Sequence, residues 1–148
     1  MIPFCREHKI HLLTYGTLLG GFLSDRYLGQ REPRRTELST WSLGKYKEMI
    51  DLWGGWALFQ ELLAACRRVA DRHGVSIANV ALRAVLDEPQ VAGVIVGTRL
   101  GLAEHRAESA RVFSFALDDR DREEIDAVAA RGGDLLQTIG DCGDEYRR

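Results

Sequence analysis

The residues best suited to chemistry lie in Gly93-Val94-Ile95-Val96-Gly97-Thr98-Arg99, with Glu104-His105 and Glu108-Ser109 close behind. An apolar strand that ends in a glycine and a basic residue, then turns into a helix, is a phosphate cradle. The helix N-terminus offers free N–H groups, Gly97 lets the backbone come close, and Arg99 can pair with phosphate bidentately. Two other groupings invite chemistry. Cys5, His8 and His11 are metal-ligand types at short spacing. A helix-to-strand transition between them would turn the side chains apart, and no fourth ligand lies nearby. Tyr46 between Lys45 and Lys47 suggests a lysine-activated tyrosine, but adjacent helical residues do not face each other, so an exposed amphipathic helix is the simpler reading.

These residues sit in a chain of 148 residues, long enough for one domain with a sizeable core. A net charge of −2 gives no footprint for nucleic acid or a membrane surface, and Glu32 and Glu37 interrupt Arg31, Arg34 and Arg35. No apolar run approaches the ~20 residues of a bilayer span, and the first residues do not read as a signal peptide. Cys5, Cys66 and Cys142 are odd in number and far apart, which reads as free thiols in a cytoplasmic protein, with Cys66 a small core residue.

The elements that must position the chemistry follow from pattern. Residues 3–8 read as the end of a helix and 10–14 as a short strand. Residues 15–23 form a glycine-punctuated loop, and 24–40 a long polar one of the kind that is often functional. Helices are predicted over 42–52 and 56–73. In the second, Leu58, Leu62, Leu63, Cys66, Val69 and Ala70 share a face, and Gly74 ends it. Ser76 caps a further helix to about residue 88, with Ile77, Val80, Ala81, Ala84 and Val85 inward. Residues 91–96 form a second strand whose unbroken apolar run suits burial on both faces. Helices follow over 102–113 and, capped by Asp118, to about 130. The acid-rich 118–124 reads as a solvated face, Trp53 and Trp56 as core packing, and 134–148 as a poorly ordered polar tail. Two strands joined by a helical crossover imply parallel pairing, yet both would be sheet edges.

Four segments resemble, in order and at matching spacing, parts of the aldo-keto reductases. Residues 11–23, His-Leu-Leu-Thr-Tyr-Gly-Thr-Leu-Leu-Gly-Gly-Phe-Leu, resemble the seventh strand and its loop. Residues 74–83 with Pro89 resemble the seventh helix, 93–99 the eighth strand and cofactor loop, and 114–119 the run into the final helix. The resemblance implies an α/β fold, the C-terminal part of a (β/α)8 TIM barrel, with two parallel strands and helical crossovers. It implies a partial NADP-dependent oxidoreductase domain over 1–132 and a polar C-terminal tail over 133–148.

The family reduces carbonyls with NADPH bound at the carboxyl ends of the strands. By resemblance, Tyr15 stacks on the nicotinamide. Gly16, Thr17, Leu18, Gly20 and Gly21 pass over the pyrophosphate, while Gly97, Thr98 and Arg99 face the adenosine phosphate. His105, Glu108 and Ser109 lie near the adenine. Ser109 stands where the family usually has asparagine, and Ala84 where many relatives carry a bulky aromatic. The family's proton-donating tyrosine and its lysine, histidine and aspartate partners come from its first half, which this chain does not resemble. The expectation is therefore an NADPH-holding portion that is inactive alone. It would be complemented by an N-terminal half or by self-association. The alternatives are a non-catalytic nucleotide-binding or interaction module, or a truncated gene product.

Overall fold

The computed structural model describes residues 2–98 and 104–140. Along the chain run α1 (Ile2–Glu7), β1 (Leu12–Tyr15), α2 (Trp41–Trp53), α3 (Gly55–His73), α4 (Ile77–Leu86), β2 (Val91–Ile95), α5 (Arg106–Ala110), α6 (Asp119–Ala129) and α7 (Leu135–Ile139). The two strands pair in parallel, with Tyr15 opposite Ile95 and Thr14 opposite Val94. Three helices form the crossover that parallel pairing demands.

α3 is the centre of the molecule. Phe59, Leu63, Cys66, Val69 and Ala70 are all nearly fully buried and repeat at helical spacing, so one stripe of the helix forms the middle of the core. Phe22 from the loop after β1, Ile50 of α2, Ile77 and Val80 of α4, and Leu117 close around that stripe. Burying one such large side chain contributes about 1.5–3 kcal/mol. α3 stops where the sequence predicts. Gly74 adopts the left-handed conformation (φ 64°), and the Val75 and Gly74 N–H groups bond back to Ala70 and Asp71 carbonyls. Thr40, Ser76 and Asp118 each cap the helix that follows them by accepting a backbone N–H.

Several expectations change. Neither strand is buried on both faces. Leu13, Tyr15 and Ile95 share one face of the sheet and are 68%, 82% and 56% exposed, because helices cover only the opposite face. α2 is not a simple exposed helix. Lys47 is buried, pairs with Glu32 (2.6 Å) and Asp51 (2.5 Å), and lies 6.0 Å from the Trp56 ring. Burial pulls its pKa down, but the two carboxylates outweigh that and leave it raised. The acidic run at 118–124 is not wholly solvated either, since Asp121 is buried against Arg72 and His73. Between Arg106 and Phe113 the helix is one turn of α5 followed by a 3-10 turn; residues 102 and 103, where it was expected to begin, lie outside the described residues. In the segment read as a tail, Asp134 caps the short α7, and the Gly133 N–H bonds to the Trp53 carbonyl at 2.6 Å. Trp56 is core, as predicted, and its indole N–H donates to the Gln30 carbonyl at 2.9 Å, tethering the long loop.

Candidate functional site

Parallel pairing decides where the candidate loops fall. Because Tyr15 and Ile95 are opposite each other at the ends of β1 and β2, the glycine loop and Gly97-Thr98 emerge side by side at the carboxyl edge of the sheet. In an α/β sheet that edge is where ligands bind. Tyr15 presents its ring to solvent beside this edge.

The glycine loop divides into two kinds of position. Gly16 (φ 74°) and Gly20 (φ 67°) take left-handed conformations, and the Tyr46 side chain packs over both. A Cβ on Gly16 would stand 2.5 Å from the Tyr46 hydroxyl, and one on Gly20 2.9 Å from its ring. These two glycines are required by a protein neighbour. Among the described residues nothing stands against a Cβ on Gly21 (φ 103°) or Gly97, so there a ligand can approach the backbone. Leu18 is half-buried, and its carbonyl accepts the Gly21 and Leu23 N–H groups. The Thr17 hydroxyl is buried with no partner among the described residues.

A cleft of about 410 Å3 opens between α4, β2 and α5. Its base is apolar, with Leu82, Leu86, Val94 and Val112, and its polar edge holds Gly97, Thr98, His105, Arg106 and Ser109. The site residues expected on either side of the strand-to-helix connection are thus brought together, with two exceptions. Arg99 lies outside the described residues. Glu108 is turned to the protein: its carboxylate accepts from Asn79 Nδ2 at 2.8 Å and faces Arg111 at 3.5 Å. The helix expected to offer free N–H groups is only five residues long.

Sequence reasoning missed three participants: Tyr46 over the glycine loop, Arg106 at the cleft edge, and Asn79 behind Glu108. Asn79 stood out as a polar side chain among the inward apolar residues of α4, and Tyr46 as a tyrosine between lysines, but neither pattern named the partner. The metal reading finds no support in placement. Among the described residues no three His, Cys, Asp or Glu side chains are grouped to hold an ion. Cys5 is buried, while His8 is exposed and packs on the Phe4 ring at 4.2 Å. Among the described residues no helix is long and apolar enough to cross a membrane.

Comparison with known proteins agrees with this geometry. The fold resembles that of the glycerol dehydrogenase AKR11B4 from Gluconobacter oxydans with a TM-score of 0.66, at 20% sequence identity, over 88% of this chain and 37% of that one. At that identity the likeness is one of fold. Over 89 residues the sequence is 36% identical to flagellar radial spoke protein 5 of Chlamydomonas reinhardtii, a stretch that is 59% of this chain and 17% of the spoke protein. The chain therefore spans well under half the length of either relative. The profile of the Aldo/keto reductase family matches residues 1–130, and the chain belongs to that family.

Proposed function

We propose that this chain is the cofactor-holding, C-terminal portion of an NADPH-dependent aldo-keto reductase barrel. The observation that carries the reading is the Tyr15–Ile95 pairing, which sets an exposed aromatic, two open glycines and a polar-edged cleft along one edge of the sheet. The residues present fit a dinucleotide. Tyr15 offers a flat face for a nicotinamide ring. Gly21 and Gly97 allow close backbone approach to phosphates, and Thr98, His105 and Ser109 border a cleft with room for a purine. Arg99 is assigned to the 2′-phosphate by resemblance, and with it the preference for NADPH over NADH. When bound, NADPH supplies the hydride that turns a carbonyl into an alcohol. This chain's own residues would hold and orient it.

On this reading the proton-donating tyrosine and its partners belong to the first half of the family sequence, so the chain alone does not reduce carbonyls. Its free Cys5 and Cys66 thiols suit a cytoplasmic setting. Titration of the purified chain with NADPH, followed by tryptophan fluorescence, tests the binding. Saturable quenching is expected, weaker for NADH, and equal affinity for the two would remove the 2′-phosphate assignment. Incubation with NADPH and a panel of aldehydes tests inactivity, and turnover traceable to the chain would sink it.

The exposed sheet face and the likeness to a flagellar radial spoke protein favour a second reading: a non-catalytic module that completes a barrel with a partner chain or with itself. Concentration-dependent assembly without nucleotide binding is its expected signature. Coding DNA upstream of Met1 that encodes the remaining strands, in frame or one frame shifted, would instead mark a truncated gene product.

A further inference from the structure

Among the four buried residues of α4, Asn79 alone is polar, and it is 1% exposed. Its Nδ2 donates to Glu108 Oε1 at 2.8 Å, to the Glu108 backbone carbonyl at 3.1 Å and to Ser76 Oγ at 3.0 Å. Two amide protons thus serve three acceptors. Its Oδ1 is buried with no donor among the described residues. Turning the amide over would set that oxygen against a carboxylate and a carbonyl, so electrostatics fixes the orientation. From the other side Arg111 faces Glu108 and donates to the Gly74 carbonyl at the end of α3. A helix as short as α5 does not hold itself, and its place depends on such tertiary bonds.

We propose that Asn79 is a positioning residue. Through Glu108 it holds α5 on α4 and fixes the cleft wall that carries His105, Arg106 and Ser109. The Glu108 carboxylate is thereby committed to the protein and withdrawn from any ligand. The clasp stands on its own geometry; its effect on NADPH rests on the reading above.

A donor–acceptor swap in the full chain tests it. Asn79→Asp keeps size and the Ser76 cap but sets two carboxylates together. Adding Glu108→Gln supplies an amide to face the introduced carboxylate. Two quantities are measured: hydrogen–deuterium exchange over residues 106–113 without nucleotide, and NADPH affinity. Loss of bonds of this strength should speed exchange there about tenfold in N79D and weaken NADPH binding by about the same factor, with α3 unchanged. The swap should recover part of both, because the amide at 108 meets the introduced carboxylate while the backbone carbonyl at 108 still opposes it, and a general loss of structure would give no such recovery. Asn79→Ala, which adds no charge, should show the loss whether or not Glu108 is changed. Unchanged exchange in N79D and N79A, or a swap that exchanges faster than N79D, would overturn the clasp. If exchange behaves as expected while the unsubstituted chain binds no NADPH, the clasp stands and the nucleotide reading falls.

Discussion

Asp121 accepts hydrogen bonds from Arg72 through both Nε and Nη2, from His73 at 2.6 Å, and from the Asp118 N–H. Burial pushes its carboxyl upward, but the bonds from His73 and Arg72 outweigh burial and hold it below the usual carboxylate range. A carboxyl depressed on folding stabilises in full above its unfolded value near 4, and that stabilisation is lost as pH falls through the lower folded value. Asp121→Asn should therefore cost about 2 kcal/mol at pH 7, less than a fully buried pair because Arg72 keeps contact with water. It should also flatten the loss of stability as pH falls below about 4 in urea melts; an unchanged acid limb would count against it. Burial dominates at Cys66, where it outweighs the nearby Arg68 charge and pushes the thiol up to about 12. A thiol reagent at pH 8 should label Cys66 only after denaturation, and labelling in the native chain within minutes would contradict that. Cys66 as a core thiol, and Ser76 and Asp118 as caps, were legible because each depends on its own few neighbours in sequence. The Lys47–Glu32 and Asn79–Glu108 contacts were not, since their partners stand 15 and 29 residues apart and nothing local announces them.

At the scale of elements, two glycines separate conformation from contact. Gly74 needs its left-handed backbone but faces open space, so Gly74→Ala should cost about 1 kcal/mol. Gly132 is different: a Cβ there would overlap the Trp53 indole. Gly132→Ala should cost more, about 1–3 kcal/mol, by pushing the α6–α7 turn away from α2. Thermal melts of both variants would reveal the order, and a reversed order would show that the turn yields freely. The helices were legible because the apolar stripe of α3 and the stop at Gly74 are periodic and local. The strands were legible in position but not in burial. An unbroken apolar run such as 91–96 fits a strand covered on both sides, but it carries no information on what lies across the sheet. α7 was missed because its five residues offer no periodicity; its cap, Asp134, was the available signal.

The whole molecule keeps its hydrophobic stripe on α3 well covered and leaves Leu13, Tyr15 and Ile95 open on the sheet. Contiguous apolar surface beside unpaired strand edges promotes association. Sedimentation velocity should show assembly that grows with concentration, and Leu13→Lys with Ile95→Lys should abolish it with a change in melting temperature of a few degrees at most. If the double variant still assembles, the sheet face is not the contact. The family was legible because four motifs keep their order. Which of those residues the protein uses for itself, as it uses Gly16, Gly20 and Glu108, was not. The crossover has one further consequence, in time. Thr14 and Gly93 touch across 79 residues of chain. Closing so long a loop is entropically slow unless its interior has already condensed. Folding should therefore condense α3 and α4 early and pair Tyr15 with Ile95 late, an order that φ-values in the two helices and the strands would check.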